Sequence, residues 1–283
     1  MTSNQLNNLQ IETATRLTGL AYIPRWIGGV LCYVAFGLGG LLSSITILPI
    51  LRFWPGQKQQ RIARVQKAVH KMFKGFVWML TSTGVIKVTT KNIQALTDAK
   101  GVIVIANHPT LVDVVVLISL MPNAGCIVKN TLWRNPFIRG VLASAGYIPN
   151  RRAELLLQDC QQVLDSDTNL IIFPEGTRTV AGQKTNPFAR GAANIAIRTK
   201  KNIIPVTLRI DVAGLTKQQP WYDIPRQTMN MSVEIGAAFD HLMYDTNQSS
   251  EAKLARVLTR DLEQYYQQQL FALVPSNDLV KVK

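Results

Sequence analysis

Residues 84–283 predict an α/β domain, a mixed sheet flanked by helices, and residues 1–83 predict a membrane-embedded helical segment followed by an amphipathic helix. Three observations carry this division. From Trp26 to Leu51 no charged residue occurs, a run longer than the roughly 20 residues that cross a hydrocarbon core. Residues 61–82 place Ile62, Val65, Val69, Met72, Phe73, Phe76, Val77 and Leu80 at helical spacing, with basic residues on the other face. Beyond residue 84 short β-branched runs alternate with helical stretches, the pattern of an α/β domain.

The elements follow in order. Residues 1–25 are polar and mixed and lack the basic start, apolar stretch and cleavage site of a secretory signal, so they are expected to remain on the mature chain. Gly37, Gly39, Gly40 and Pro49 interrupt the apolar run. They leave open a kinked or re-entrant hairpin beside a spanning helix, with a buried soluble helix as the third reading. Downstream, Arg52, Lys58, Arg61, Arg64, Lys67, Lys71 and Lys74 outweigh Arg16 and Arg25 upstream. That asymmetry places the following domain on the cytoplasmic side of the membrane. The basic helix fits either an anionic membrane surface or ordinary packing with a solvated charged face.

Strands are expected at Ile86–Thr90, Val102–Ala106, Cys126–Lys129, Leu170–Phe173, Ile203–Arg209 and Ser232–Ile235. Helices are expected at Leu111–Leu120, Ala153–Asp165, Arg190–Thr199 and Glu251–Leu270. Loops rich in Pro, Gly, Asn and Gln occupy residues 179–188 and 214–228. No internal repeat or low-complexity tract interrupts the pattern.

With 283 residues, 47% of them hydrophobic, the chain is long enough for one domain with a full core and a modest appendage. A net charge of +14 points to an anionic partner surface: nucleic acid, acidic lipid or an acidic carrier protein. No helix-turn-helix, zinc or aromatic-rich RNA-binding pattern supports nucleic acid, which is therefore set aside. Cys32, Cys126 and Cys160 lie far apart, without metal-ligand spacing or an even disulfide framework. A reduced, cytosol-facing domain follows. His70, His108 and His241 are the only histidines, so zinc chemistry built on histidine is not expected and any imidazole base is one of these three.

The strand ending at Ala106 runs straight into Asn107-His108-Pro109-Thr110-Leu111-Val112-Asp113. A strand that turns into a helix exposes the turn at the sheet edge, where ligands bind in open α/β folds. Asp113 lies about one helical turn beyond His108 and can accept a hydrogen bond from one ring nitrogen, leaving the other free to take a proton. Taken alone, such a pair is more often a structural histidine or a helix cap. No serine or cysteine stands in a nucleophile elbow, so the nucleophile is sought on the substrate. A second constellation follows another strand: Phe173-Pro174-Glu175-Gly176-Thr177-Arg178. Pro174 and Gly176 shape its turn, while Glu175 offers an acceptor and Arg178 a forked donor to a ligand.

These two blocks, in this order and at this separation, resemble those of the glycerolipid acyltransferases typified by 1-acylglycerol-3-phosphate acyltransferase. Gly146-Tyr147-Ile148-Pro149-Asn150-Arg151 and Ile203-Ile204-Pro205-Val206 resemble two weaker family blocks, and the likeness covers about residues 85–215. The resemblance implies an O-acyltransferase in which His108 deprotonates an acceptor hydroxyl and Asp113 orients and supports the imidazolium. The alkoxide-like oxygen then attacks the acyl thioester directly, with no acyl-enzyme. It further implies an acceptor site made by Arg151, Glu175, Gly176 and Arg178, with Asn107 and Thr177 from the same blocks and Lys129 added at a strand end. The acceptor would be 1-acyl-sn-glycerol-3-phosphate or a similar lysophospholipid, and the donor acyl-coenzyme A or acyl-carrier protein. No cofactor beyond that co-substrate and no metal is implied.

The sequence departs from the family at Asn150, where relatives commonly carry aspartate, and a second arginine, Arg152, follows Arg151. Both keep the acceptor headgroup open, so an ornithine lipid, glycolipid or pigment lipid is a second reading; Thr110 in place of serine is a milder change. A catalytically degenerate, membrane-anchored binding protein is the alternative of another class. Elsewhere, His70 reads as a polar position on the basic helix and His241 as a loop residue. Lys184 and Arg190 read as solvated charges or contacts for an acidic carrier. Trp133, Phe137, Arg134 and Arg139 read as interface anchors or ordinary packing.

Overall fold

The computed structural model describes residues 17–271 except 135, 181, 213, 217–218 and 245–248; Arg16 and the side chain of Phe137 lie outside the described residues. After a 3-10 turn at Gly19–Tyr22 come the helices α1 (Ile23–Ile45), α2 (Ile47–Phe53) and α3 (Lys58–Ser82). The α/β part then runs β1 (Ile86–Lys91), α4 (Gln94–Thr97), β2 (Ile103–Ala106), α5 (Asp113–Leu120), β3 (Ala124–Val128), α6 (Asn130–Trp133) and α7 (Pro136–Ser144). It continues through β4 (Ile148–Pro149), α8 (Ala153–Asp165), β5 (Asn169–Ile172), α9 (Gly191–Thr199), β6 (Ile203–Ile210) and β7 (Met229–Ile235). A second 3-10 turn, His241–Tyr244, precedes α10 (Glu251–Phe271).

The apolar run expected from Trp26 to Leu51 is helical throughout but broken at Thr46. Gly37, Gly39 and Gly40 sit inside an unbroken α1, so the bend is not theirs. Pro49 is the cause: it has no N–H to return to the carbonyl of Ile45 four residues earlier. The Thr46 hydroxyl folds back onto the Leu42 carbonyl at 2.8 Å and helps to close the broken turn. Leu31, Leu42, Ile45 and Phe53 stand exposed on this helical pair, an apolar surface of the kind that marks a membrane or partner contact.

α3 buries Val65, Val69, Phe76 and Leu80, four of the eight positions chosen by periodicity, while Lys67, Lys71 and Lys74 face outward. His70 is more than another polar position on that helix. Its Nδ1 lies 2.9 Å from the Ile118 carbonyl, pinning α3 to α5. The basic helix is therefore packed on the domain along one side and solvated along the other.

Seven strands form one mixed sheet in the order β1-β7-β6-β2-β5-β3-β4. The five strands from β6 to β4 are parallel, and β7 runs antiparallel to β6. β1 pairs parallel with β7, so these two strands oppose the rest. One sheet face packs on α1, α3 and α5, the other on α8, α9 and α10. Strands β2 and β5 are buried along their whole length, which is why they read as continuous apolar runs.

Pro205 stands opposite Ile105 in the sheet interior, where it has no N–H to give. The fully buried Tyr266 of α10 fills the gap. Its hydroxyl donates to the Ile105 carbonyl at 2.6 Å and accepts the Val206 N–H at 3.2 Å. A polar wedge from the last helix thus completes the ladder one residue before the turn that carries His108.

Candidate active site

Because β2, β5, β3 and β4 are parallel neighbours, the turns that follow them emerge on one edge of the sheet. Those turns carry, in that spatial order, His108, the Glu175 to Arg178 block, Lys129 and Arg151. The sequence expected the first two to share a crevice. They are directly bonded: the His108 N–H donates to Glu175 Oε1 at 2.8 Å, and the Thr179 N–H donates to the His108 carbonyl at 2.7 Å.

The His108 imidazole stacks on Phe173, ring centroids 4.3 Å apart, and its Nδ1 lies 2.8 Å from Asp113 Oδ2. Asp113 is fully buried at the start of α5. It also accepts the Thr110 N–H at 2.7 Å and the Thr110 hydroxyl. Burial pushes its carboxyl above the ordinary carboxylate range, opposed by the hydrogen bonds from His108 and Thr110. The carboxylate is thus fixed in place, and it fixes the imidazole with Nδ1 inward and Nε2 outward. The ring keeps 20% of its side-chain surface exposed, so a substrate hydroxyl has access to it.

The remaining predicted residues divide by what they touch. Glu175 is buried and its oxygens are occupied from within. Besides the His108 N–H, it accepts the Asn186 N–H at 2.7 Å and the Thr179 hydroxyl at 2.9 Å. Burial raises its carboxyl, while the two backbone donors and the Thr179 hydroxyl pull it back. Asn107 is likewise buried. Its amide donates to the Leu208 carbonyl and accepts the Leu208 N–H, each at 2.8 Å, extending the β2–β6 pairing past the strand end. Both side chains hold the turn that presents His108. Gly176 takes φ +67°, a left-handed conformation open to glycine without strain, and is exposed; Thr177 is half-buried beside it.

Arg178 is half-buried, and its Nη1 donates to the carbonyls of Leu215 at 3.3 Å and Thr216 at 2.8 Å. Arg151 is exposed and folds back on Asp159 of α8 through its Nε at 3.1 Å. Lys129 is exposed just past the end of β3, immediately before α6. His241 is held by Asn202, whose Oδ1 lies 2.7 Å from its Nδ1, far from this edge in sequence and on the α9 side. Lys184 lies over the Phe271 ring at 3.3 Å rather than standing free.

Sequence reasoning missed Phe173 as the floor of the imidazole and Thr179 and Asn186 as the donors that hold Glu175. No spacing rule marks them, because Phe173 acts through a ring contact and Thr179 and Asn186 through hydroxyl and backbone contacts from loop positions. A cavity of about 320 Å³ borders the same turn, walled by Asn107, Pro109, Thr179 and Lys184. His108 itself is not among its lining residues.

Comparison with known proteins points to acyltransferases. A family model described as "Acyltransferase" matches residues 85–209. The 1-acyl-sn-glycerol-3-phosphate acyltransferase of Helicobacter pylori is 35% identical over 117 residues, 39% of this chain and 49% of that protein. The enzyme of the same name from Cocos nucifera is 29% identical over 198 residues, 65% of this chain and 61% of that protein. The chain thus covers less than two thirds of the length of these relatives. The crystal structure of the 1-acyl-sn-glycerophosphate acyltransferase PlsC from Thermotoga maritima shares the fold with a TM-score of 0.63 at 19% identity. That likeness covers 85% of this chain and 97% of the other. The family model over residues 85–209, the relatives named 1-acyl-sn-glycerol-3-phosphate acyltransferase and the shared fold make this chain similar to the glycerolipid acyltransferases.

Proposed function

We propose that this protein is a membrane-bound O-acyltransferase that moves a fatty acyl group from a thioester onto the free hydroxyl of 1-acyl-sn-glycerol-3-phosphate or a similar lysophospholipid. The observation that carries the reading is the His108 imidazole, partly exposed to solvent, with Nδ1 committed to a buried carboxylate. In the reaction Nε2 of His108 takes the acceptor proton as the oxygen attacks the thioester carbonyl. The C–S bond breaks, and the departing thiolate takes up the proton from the imidazolium. Asp113 holds the tautomer and offsets the charge that forms on the ring. No side chain is acylated.

The donor is acyl-coenzyme A or acyl-carrier protein, both acidic thioester carriers suited to a chain of net charge +14. The exposed apolar residues of α1 and α2 would enter the bilayer, with the basic face of α3 on its anionic cytoplasmic surface. Arg178, Arg151 and Lys129 are the cations along the active edge that would receive the acceptor phosphate. Gly176 and Thr177 would offer backbone and hydroxyl contacts from the turn between them.

One observation favours a second acceptor class. Arg178 already donates to two backbone carbonyls and Arg151 to Asp159, so two of the three cations have partners within the protein. A lyso-lipid without a phosphomonoester would demand less of them. The test is a transfer assay with purified protein in vesicles, offering lysophosphatidate and non-phosphorylated lyso-lipids with both donor types, and reading products by mass spectrometry. Diacylated phosphatidate formed by the wild type and absent with His108→Ala is the expected result. Transfer undiminished in His108→Ala would overturn the mechanism.

A further inference from the structure

Between β6 and β7 the chain makes a long excursion that lies beyond residues 85–209, the stretch shared with the family model. Its far end is fastened to α1. The Tyr22 hydroxyl donates to the Ile224 carbonyl at 2.5 Å, Trp26 Nε1 to the Tyr222 carbonyl at 3.0 Å, and Arg25 to the Arg226 carbonyl at 3.2 Å. Ile224 is fully buried against Gly29, where an added Cβ would approach to 2.8 Å. The excursion is therefore a strap held down at one end by the membrane helix.

Its near end reaches the active edge. The carbonyl oxygen of Leu215 accepts the Leu111 N–H, three residues after His108, at 3.0 Å. The same oxygen accepts Nη1 of Arg178 at 3.3 Å, and the next carbonyl, that of Thr216, accepts it at 2.8 Å. A single backbone oxygen thus joins the turn that carries the base to the arginine of the second block. Leu215 holds that oxygen in place with φ +55°, an uncommon conformation for a residue with a side chain. Its side chain is fully buried in the core shared with α1, α3 and α5. Strain that persists beside a functional group, locked by packing on one side and hydrogen bonds on the other, points to a role for the backbone geometry.

We propose that Leu215 is a positioning residue of the acceptor site: its left-handed backbone aims the Arg178 guanidinium at the phosphate of the lyso-lipid and fixes its distance from His108. The inference rests on the proposed phosphate contact of Arg178. It makes selectivity for a phosphomonoester acceptor depend on a residue outside both sequence blocks. Backbone conformation and side-chain packing make opposite demands at this position, which separates positioning from mere structure. Glycine adopts φ +55° freely but leaves the buried pocket empty, whereas valine keeps apolar volume but is disfavoured at positive φ.

The experiment measures kcat/KM of the full-length protein in vesicles for lysophosphatidate and for monoacylglycerol, together with the melting temperature. Wild type, Leu215→Val, Leu215→Gly and Arg178→Ala are compared. Leu215→Val is expected to lower the ratio of the two acceptors roughly tenfold, the loss lying in KM for lysophosphatidate, since small misplacements of a binding group carry such penalties. Leu215→Gly is expected to keep the ratio yet melt lower than Leu215→Val. Should Leu215→Val fail to fold, Gly214→Ala displaces the strap instead, because its Cβ would meet Pro225 Cγ at 2.6 Å. The same fall in the ratio is expected from it. A ratio that survives in Leu215→Val, or that falls equally in Leu215→Gly, overturns the positioning role. If the ratio collapses in Arg178→Ala but not in Leu215→Val, only this inference fails. If it is unchanged in Arg178→Ala, the phosphate contact itself is wrong and the role of Leu215 falls with it.

Discussion

The active edge of the sheet has two halves built on different principles. The turns after β2 and β5 are buried and cross-bonded: His108, Asp113, Glu175, Thr179 and Asn186 form one network with few open valences. The turns after β3 and β4 present exposed cations, Lys129 and Arg151, the latter tied only to a surface carboxylate. The first half is organised by its internal hydrogen bonds, while the second holds exposed charge at the rim. Proton transfer needs an imidazole fixed to within a fraction of an ångström, whereas attraction of an anion does not. Residues of one motif can therefore differ sharply in how much a substitution at each should cost.

Substitutions in the fixed half should have the largest effect. His108→Ala removes the proposed base, and transfer should fall by about 10²- to 10⁴-fold while vesicle binding and the melting transition persist. Asp113→Asn keeps the shape but lets an amide N–H face the ring, which favours the wrong tautomer, so a loss of similar order is expected. Single-turnover rates on vesicles check both. A mild effect of Asp113→Asn alone would make the carboxylate a helix cap rather than an orienter.

Glu175 gives a pH-resolved view of the same half. Its folded-state carboxyl is raised, chiefly by burial, and so binds a proton more tightly than in the unfolded chain. Between the unfolded value, about 4.3, and the raised folded value, the native state carries more protons. Stability must then fall as pH rises through that window and level off above it. Asp113 acts with the same sign, its carboxyl also raised by burial. Glu175→Gln should therefore reduce, without abolishing, the decline in melting temperature across this window. It should also lower activity, because an amide has one acceptor oxygen where the carboxylate serves three protein donors. Melting curves from pH 4 to 7 for the wild type and Glu175→Gln decide this, and identical slopes would refute the assignment.

Most of the fold was legible because its strands are buried on both faces and its helices are amphipathic. The six expected strands all form, within three residues of their expected limits, and α8 spans the expected range unchanged. β4 was missed because two residues carry no periodicity. A kink in the apolar run was left open by a cluster of glycines and a proline; it falls at Thr46, and only the proline removes a hydrogen bond. At the site, the pairing of His108 with Asp113 was legible because the two lie five residues apart, at the ends of the turn that leads into α5. The inward roles of Asn107 and Glu175 were not, since a polar residue in a turn after a strand reads the same whether it faces a ligand or Leu208. Nothing in the sequence marks Tyr266 as the partner of the ladder position that Pro205 leaves open, because 161 residues separate it from Ile105.

The smallest effect is expected in the open half. Arg151 is exposed and its ion pair with Asp159 spans two flexible side chains, an arrangement worth about 0–1 kcal/mol. Arg151→Ala should shift the melting temperature little. Its effect on transfer should lie in KM for the anionic acceptor and fade as salt rises, because a rim charge acts over the Debye length rather than by contact. Asp159→Asn provides the counter-test: releasing the guanidinium from its carboxylate should lower that KM at low salt if Arg151 serves the acceptor. If both variants match the wild type across a salt series, Arg151 belongs to the surface of α8 and not to the site. The phosphate would then depend on Arg178 and Lys129, and the contrast between the two halves would become one between a reaction centre and a bystander.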